Sequence, residues 1–326
     1  MNVLVTGGAG YIGSSVAAQL VAAGHRVIVY DNLTHGRRQA VPAGAELVVG
    51  EVADRAALER LFRSRAPDAV MHFAALIEAG ESMQVPEQYF RNNAATTLTL
   101  LEVMLACGPK RLVFSSTAAL YGNPERTPIE ETDPLRPTNA YGESKLLVER
   151  MLEWLNRIHG LRYASLRYFN AAGADGERGE DHRPESHLIP LTLQVALGRR
   201  EHISIFGTDY PTPDGTCVRD YIHVSDLASA HLLALNALEQ RDRLIYNLGN
   251  GRGFSVREVI GVAREVTGHP IPAVETPRRE GDPEVLVASS ERIQRELGWK
   301  PQHADLKSIV SSAWEWHRRH PSGYEE

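Results

Sequence analysis

The chain has 326 residues, of which 43% are hydrophobic, and a formal net charge of −6. This length exceeds the usual upper size of a single compact domain and predicts a large domain with a smaller second one. The acidic balance, without any extended run of Lys or Arg, argues against a nucleic-acid or membrane-surface partner.

The two cysteines, Cys107 and Cys217, stand far apart and lack the spacing of metal ligands. The sequence therefore indicates neither a disulfide framework nor a zinc site, and the histidines show no His-x-x-x-His pattern with a glutamate. We expect no metal. The N-terminus runs straight into an apolar strand without a basic leader, and no apolar run is long enough to span a membrane. These features predict a cytoplasmic protein.

Short β-branched runs alternate with amphipathic helical stretches in the first half of the chain. This alternation predicts βαβ units and an α/β fold with a doubly wound parallel sheet of the Rossmann type. The six predicted strands are residues 3–5, 27–30, 47–49, 69–73, 111–115 and 163–167. The predicted helices begin near Ile12 and Arg55 and cover about residues 93–106 and 139–159.

After Asn170 the sequence becomes polar and rich in glycine, which is typical of a loop. We place the domain boundary there, which gives domains of residues 1–170 and 171–326, with some later segments free to return to the first domain. The second is predicted to be a smaller mixed α/β domain. Its predicted elements are a helix over about 189–197, strands at 203–206 and 245–248, and a helix that begins at Ser255 and closes at Gly268.

A glycine-rich turn, residues 6–13 (Thr-Gly-Gly-Ala-Gly-Tyr-Ile-Gly), joins the first strand to the first helix. In this position glycines let the backbone approach a pyrophosphate, and the start of the helix holds its negative charge. Asp31 ends the second strand, where it can accept hydrogen bonds from the adenosine ribose and repel a 2′-phosphate. The sequence therefore predicts a site for NAD rather than NADP.

Tyr141 and Lys145 are four residues apart near the start of a predicted helix, so they share a face. A tyrosine serves as a base only if its pKa falls from about 10 toward 7, and a nearby ammonium and a positive nicotinamide ring can lower it. Thr117 ends the preceding strand at the edge of the sheet where such folds bind ligands. The three residues are the predicted catalytic set.

Several segments together carry a family resemblance. They are residues 6–13, 31–33, 72–75, 80–82, 141 with 145, 166–170, 215–224 and 277–282. On these segments, nearly the whole chain resembles the extended short-chain dehydrogenase/reductase family and, within it, the UDP-glucose 4-epimerases. The segments around Arg219 and Arg279 are particular to that branch.

The resemblance implies which residues form the two binding sites. It implies an NAD site formed by Gly7, Gly10, Tyr11, Ile12, Gly13, Asp31, Asn32, Glu51, Val52, Phe73, Ala74, Ala75, Asn92, Tyr141, Lys145 and Phe169. It implies a UDP-sugar site formed by Thr117, Tyr141, Asn170, His187, Phe206, Arg219, Arg279, Asp282 and Leu286. Arginines can hold a diphosphate through charge-assisted hydrogen bonds, which suits this placement.

The implied activity is interconversion of UDP-glucose and UDP-galactose through a 4-keto sugar. Tyr141 would take the proton of the sugar 4-hydroxyl while the C4 hydride passes to NAD. The 4-keto sugar would then turn over and take the hydride back on its other face, and Tyr141 would return the proton. The resemblance also implies a homodimer in which each subunit contributes the helices near 93–106 and 139–159.

Three features bear on the alternatives. Leu286 stands where relatives with tyrosine tend to exclude N-acetylated sugars, so we expect some activity on UDP-N-acetylglucosamine. Thr117 is followed by Ala118 and Ala119 rather than by the acidic pair that a nucleotide-sugar dehydratase needs. The presence of the Tyr141 and Lys145 pair argues against a non-catalytic NAD-binding regulator. Epimerases of UDP-glucuronate or UDP-pentoses remain the main alternative.

Overall fold

The computed structural model describes residues 1–279 and 282–325. Of the segment 277–282 that carries part of the family resemblance, Glu280 and Gly281 therefore lie outside the described residues. The strands are β1 (Asn2–Thr6), β2 (Arg26–Asp31), β3 (Ala45–Val49), β4 (Ala69–His72), β5 (Arg111–Thr117), β6 (Arg162–Tyr168), β7 (Asn170–Ala172), β8 (Ile203–Phe206), β9 (Val218–His223), β10 (Arg243–Leu248), β11 (Gly253–Ser255), β12 (Ala273–Thr276) and β13 (Val285–Leu286).

Helices cover the strands on both sides. They are α1 (Tyr11–Ala22), α2 (Arg55–Arg65), α3 (Ala79–Ser82), α4 (Pro86–Tyr89), α5 (Thr96–Cys107), α6 (Ala140–His159), α7 (Leu188–Ala196), α8 (Val224–Ala237), α9 (Val256–Thr267), α10 (Glu291–Leu297) and α11 (Leu306–Arg319). Among the helices in the described part of the chain, none has both the length and the apolar character that crossing a membrane requires.

The main sheet has seven parallel strands in the order β10-β6-β5-β4-β1-β2-β3. The order reverses at β1, as in a doubly wound fold, so the predicted fold class is confirmed. The predicted count of six strands is wrong by one. The seventh strand is β10, which the sequence indicated as a strand, but its partner β6 lies 80 residues earlier in the chain. Pattern alone gives no information on such a distant partner.

The side chains of the central strands alternate between two apolar cores, because successive side chains of a strand point to opposite faces of the sheet. In β1, Val5 packs in one core with Leu20 of α1, whereas Leu4 packs in the core on the other face. The first core also contains Leu227 of α8 and Trp299. Segments beyond residue 170 therefore contribute to the core of the main sheet.

Local signals explain where the helix of the predicted catalytic pair begins and ends. The side chain of Asn139 accepts a hydrogen bond from the Gly142 N–H and caps the start of α6, and Gly160 closes the helix in the left-handed conformation. The predicted capping box of Ser255 and Glu258 is present at the start of α9. The helix predicted over 93–106 is continuous with a π-helical turn at Phe90–Ala95, which precedes α5.

A second, smaller group of strands lies beside the carboxyl ends of the main sheet. Strands β11, β7 and β13 pair with β9, while β8 pairs with β12. Helices α7, α9 and α11 pack together on an apolar core of their own around Leu193 and Ile309. Since β7 follows β6 almost directly, the chain passes from one sheet to the other within two residues.

Candidate active site

The parallel strands bring the predicted cofactor residues to one edge. Because all seven strands run in the same direction, their carboxyl ends meet there. The loops after β1, β2, β3 and β4, the turn at Phe90–Ala95, the start of α6 and the end of β6 carry the predicted set: Gly7, Gly10, Tyr11, Ile12, Gly13, Asp31, Asn32, Glu51, Val52, Phe73, Ala74, Ala75, Asn92, Tyr141, Lys145 and Phe169.

Steric contacts explain the glycines of the first turn. Gly7 has a φ of +71°, and a Cβ there would lie 2.5 Å from the backbone nitrogen of Ala74. A Cβ on Gly13 would lie 2.3 Å from the Gly7 carbonyl oxygen. Only glycine fits at either position without moving backbone. The resulting cradle of bare backbone at the start of α1 fits the pyrophosphate of a dinucleotide.

Asp31 holds this turn in place as well as facing the predicted ribose position. Its carboxylate accepts hydrogen bonds from the backbone N–H groups of Ala9, at 3.0 Å, and Leu33, at 2.8 Å. Beside it, the Asn32 side chain donates to the Glu51 carboxylate at 3.0 Å. The loops after β1, β2 and β3 are thereby tied to one another.

The predicted catalytic residues meet where β5 ends and α6 begins. The Thr117 hydroxyl is close enough to the Tyr141 phenol to lower its pKa, and it accepts a hydrogen bond from the Ala119 N–H at 3.1 Å. Lys145, one turn further along α6, is only 3% exposed and donates from Nζ to the Ser115 carbonyl at 2.9 Å. All three side chains therefore lie at the carboxyl end of β5.

Burial sets the protonation of this pair. It raises the pKa of Tyr141 above its ordinary value, with Glu78 adding to the rise and the Thr117 hydroxyl opposing it. Burial also lowers the pKa of Lys145 to about 7. The protein groups alone thus keep Tyr141 as a neutral phenol, so its use as a base requires further positive charge beside it.

A buried ion pair, which we did not predict from the sequence, lies behind the catalytic residues. Arg167 of β6 donates to the Glu149 carboxylate of α6 through Nε, at 3.0 Å, and Nη2, at 2.6 Å. Ser116 donates to the same carboxylate at 2.7 Å, and Tyr121 accepts from Arg167 at 2.9 Å. This network fixes α6 against β5 and β6 at the level of the site. Glu149 has no sequence signal that separates it from exposed glutamates on the same helix.

Pairing around β9 collects predicted substrate residues from distant parts of the chain. Asn170 of β7 is paired with Tyr221 of β9, and Leu286 of β13 is paired with Arg219 of the same strand. Leu286 also packs against the small apolar cluster that contains Phe169. A sugar site and a nucleotide site on this sheet would therefore adjoin the cofactor edge.

Four of the predicted substrate residues form two pairs. Arg219 Nη2 lies 3.6 Å from Asp282 Oδ1, and the Arg279 guanidinium lies over the Phe206 ring at 3.7 Å. The second pair forms a cation–π stack. Both arginines are thus held beside the second group of strands, where a diphosphate would face them.

His187 is placed differently from the other predicted substrate residues. It directly precedes α7 without capping it through its side chain, and its Nδ1 lies 2.7 Å from Glu180 and 3.4 Å from Glu185. These carboxylates raise the pKa of His187 well above its ordinary value even though burial opposes the shift. The ring therefore faces acidic groups of its own loop.

Asp220 is another buried group whose importance the sequence did not indicate. It is fully buried, and its carboxylate accepts from the backbone N–H groups of Asn250, at 2.7 Å, Gly251, at 3.1 Å, and Ala288, at 3.1 Å. It therefore joins β9 to the segments that follow β10 and β13. Its position directly after Arg219 in a family segment was the available signal.

Comparison with known proteins gives consistent results. A UDP-glucose 4-epimerase of Streptomyces lividans is 57% identical over 324 residues, which cover 99% of this chain and 98% of the relative. A crystal structure of a UDP-glucose 4-epimerase is similar with a TM-score of 0.98 at 51% identity, over 100% of both chains. The UDP-glucose 4-epimerase of Brucella ovis, solved in complex with NAD, has a TM-score of 0.93 at 45% identity, over 96% of this chain and 97% of that one.

The family assignment rests on the sequence match and on the fold together. The sequence model of the NAD dependent epimerase/dehydratase family matches residues 3–249, which include the glycine-rich turn, the catalytic pair and the seventh strand of the main sheet. The chain belongs to the NAD dependent epimerase/dehydratase family.

Proposed function

We propose that this chain is a UDP-glucose 4-epimerase that interconverts UDP-glucose and UDP-galactose with NAD as its bound cofactor. The observation that carries the proposal is the convergence of Thr117, Tyr141 and Lys145 on the end of β5, next to the glycine cradle. Full-length similarity to proteins of that name supports the choice of substrate.

The proposed cofactor site uses the edge of the main sheet. The backbone around Gly7 and Gly13 would hold the pyrophosphate, and Asp31 would accept from the adenosine ribose. When bound, NAD would accept the hydride from C4 of the sugar, and its nicotinamide ring would bring a positive charge near the catalytic pair. That charge and the Lys145 ammonium would both favour the Tyr141 phenolate.

The chemistry proposed for the protein is a reversible proton transfer. Tyr141 takes the proton of the sugar 4-hydroxyl and later returns it to the 4-keto oxygen, when C4 takes the hydride back on its other face. Thr117 hydrogen-bonds the same oxygen and keeps it within reach of the phenol. The neutral phenol that burial favours suits the second half of the cycle, in which Tyr141 acts as an acid.

The substrate is proposed to be held mainly through its nucleotide. Arg219 and Arg279 would bind the diphosphate, Asp282 a ribose hydroxyl and Phe206 the uracil ring. The hexose, held more weakly, is then free to turn over between the two hydride transfers. Asn170 and Leu286 would complete the walls of this site.

The test is interconversion without external cofactor. The purified chain is incubated with UDP-galactose in the absence of added NAD, and UDP-glucose is measured by chromatography. We expect the same equilibrium mixture from either sugar. Failure to convert either sugar, with NAD present in the purified protein, would overturn the proposal and direct the assay to UDP-glucuronate and UDP-xylose.

The range of sugars is proposed to extend to UDP-N-acetylglucosamine. Leu286 is partly buried beside the cluster of Phe169 and Ala118, and leucine leaves more room than a tyrosine there would. We expect measurable turnover of the acetylated sugar, and its loss in Leu286→Tyr with UDP-galactose turnover retained. No turnover by the unaltered protein contradicts this extension.

We also propose a homodimer formed by α5 and α6. Large apolar side chains are exposed on these helices: Leu98 is 40% exposed, Trp154 61% and Ile158 66%. Burial of such side chains against a second copy is favourable. Light scattering on the purified chain should give twice the monomer mass, and Trp154→Glu should lower it.

The free thiols of Cys107 and Cys217 agree with the proposed cytoplasmic location.

A further inference from the structure

A cluster of two histidines and two glutamates lies in the loop between β7 and α7. The residues are Glu180, His182, Glu185 and His187, and one donor atom from each lies within 4.8 Å of the other three. We predicted no metal from the sequence, which has no His-x-x-x-His pattern with a glutamate. Here the backbone of a loop, rather than a helix face, brings the four side chains together.

The distances between the donor atoms match those of a tetrahedral ion. Zinc bonds to histidine nitrogen and carboxylate oxygen are about 2.0–2.2 Å, so the edges of a tetrahedral site measure roughly 3.4 Å. His187 Nδ1 lies 2.7 Å from Glu180 and 3.4 Å from Glu185. His182 Nδ1 lies 3.2 Å from Glu180 and 3.9 Å from Glu185. These four separations bracket the edge length.

The environment favours a proton or a metal ion between these groups. Glu180 is only 5% exposed, and the Nδ1 atoms of His182 and His187 are buried without a well-aligned hydrogen bond, although carboxylates lie within ion-pair distance. A ring nitrogen with a lone pair and a carboxylate are both acceptors, so they repel unless a positive charge lies between them. Either two protons or one divalent ion would neutralise the two carboxylates.

We propose that Glu180, His182, Glu185 and His187 bind one zinc ion. Two imidazoles and two carboxylates form a ligand set that zinc accepts in four-coordinate sites, and all four positions are filled by protein, as in a structural site. The proposal goes beyond the epimerase activity, because no step of that chemistry uses the ion.

The position of the cluster indicates what the ion would stabilise. The His182 ring meets the edge of Tyr11 with centroids 6.3 Å apart, and the Tyr11 hydroxyl donates to the Gly173 carbonyl at 2.6 Å. Between two of the ligands, Asp181 accepts from Arg37 at 3.3 Å and from the Tyr324 N–H at 3.2 Å. The zinc would therefore fix the loop against the glycine-rich turn and the C-terminal segment.

The test measures zinc directly. Untagged full-length protein is treated with a chelator, dialysed against zinc and then against metal-free buffer, and its metal content is determined. We expect about one zinc per chain, and after loading with Co²⁺ we expect the visible absorption of a four-coordinate site. His182→Ala should weaken zinc binding at least tenfold, whereas His159→Ala, which removes an exposed imidazole at the end of α6, should not.

A second variant separates loss of the site from loss of the fold. If circular dichroism shows that His182→Ala is unfolded, the milder Glu185→Gln takes its place and should show the same loss of zinc. Zinc retained by a folded His182→Ala or Glu185→Gln protein overturns the proposal. So does unaltered protein that binds no zinc, which would identify the cluster as ion pairs of protonated histidines.

Discussion

Two buried cations, Lys145 in the candidate site and Arg167 behind it, differ in their surroundings. Arg167 makes two hydrogen bonds to the Glu149 carboxylate, so its charge is matched. Lys145 lies one helical turn before Glu149 on α6 but donates to the Ser115 carbonyl, and within the described residues no carboxylate is in ion-pair distance of it. The matched cation serves the scaffold, whereas the unmatched one stays available to support a negative charge that forms during the reaction.

The largest effect on stability is expected from a substitution of Glu149. Replacing it by glutamine leaves the Arg167 guanidinium buried without a counter-charge, which typically costs about 3–5 kcal/mol. Chemical denaturation of Glu149→Gln should show a loss of this size in the free energy of unfolding. A loss below about 1 kcal/mol would show that the pair does not hold the scaffold.

At Lys145 the expected effects on activity and stability are opposite. Lys145→Met should reduce kcat by a hundredfold or more, as loss of support for the phenolate implies. The same variant should raise the free energy of unfolding at pH 7 by a few kcal/mol, because it removes a charge that burial disfavours. The two readouts are the epimerase assay and denaturation on the same preparation. A variant that is both inactive and less stable would contradict the comparison.

The pH dependence sharpens the same point. Burial lowers the pKa of Lys145 to about 7 in the folded chain, whereas an unfolded lysine titrates near 10.4. Between these two pKa values the lysine is protonated in the unfolded chain but neutral in the folded chain. The free-energy cost of burying Lys145 therefore grows as the pH falls through this range. The stability advantage of Lys145→Met should therefore be largest at pH 7 and nearly absent at pH 10.5. An advantage independent of pH would assign it to packing.

An exposed pair on the same helix provides the smallest expected effect. Arg157 lies 2.8 Å from Glu153, and both side chains are well exposed to solvent. Glu153→Gln makes the same chemical change as Glu149→Gln, but should alter the free energy of unfolding by about 0.5 kcal/mol or less. Thermal denaturation of both variants under identical conditions gives the comparison. Equal losses would mean that burial of the charge does not determine the effect.

Much of the fold and site could be predicted because the signals are local. Strand and helix periodicity, the glycines of residues 6–13, and the caps at Asn139 and Ser255 act within a few residues of themselves. The parallel sheet then places the loops that follow its strands at one edge, so the neighbourhood of Thr117 and Tyr141 follows from topology.

The remaining features depend on contacts between distant or irregular segments. The pairing of β10 with β6 joins residues that are 80 positions apart, and no local pattern records it. Burial separates Glu149 from Glu153, although both are glutamates of one helix. The cluster of residues 180–187 depends on the path of a loop, which has no period to detect.

The central claim is that Tyr141 performs the proton transfer of a UDP-glucose 4-epimerase. The most direct measurement compares the unaltered protein with Tyr141→Phe for conversion of UDP-galactose to UDP-glucose without added NAD, with bound NAD determined in both. We predict equilibration by the unaltered protein and a rate at least about a hundredfold lower in the variant, with similar NAD content. Conversion at comparable rates by both proteins would contradict the account.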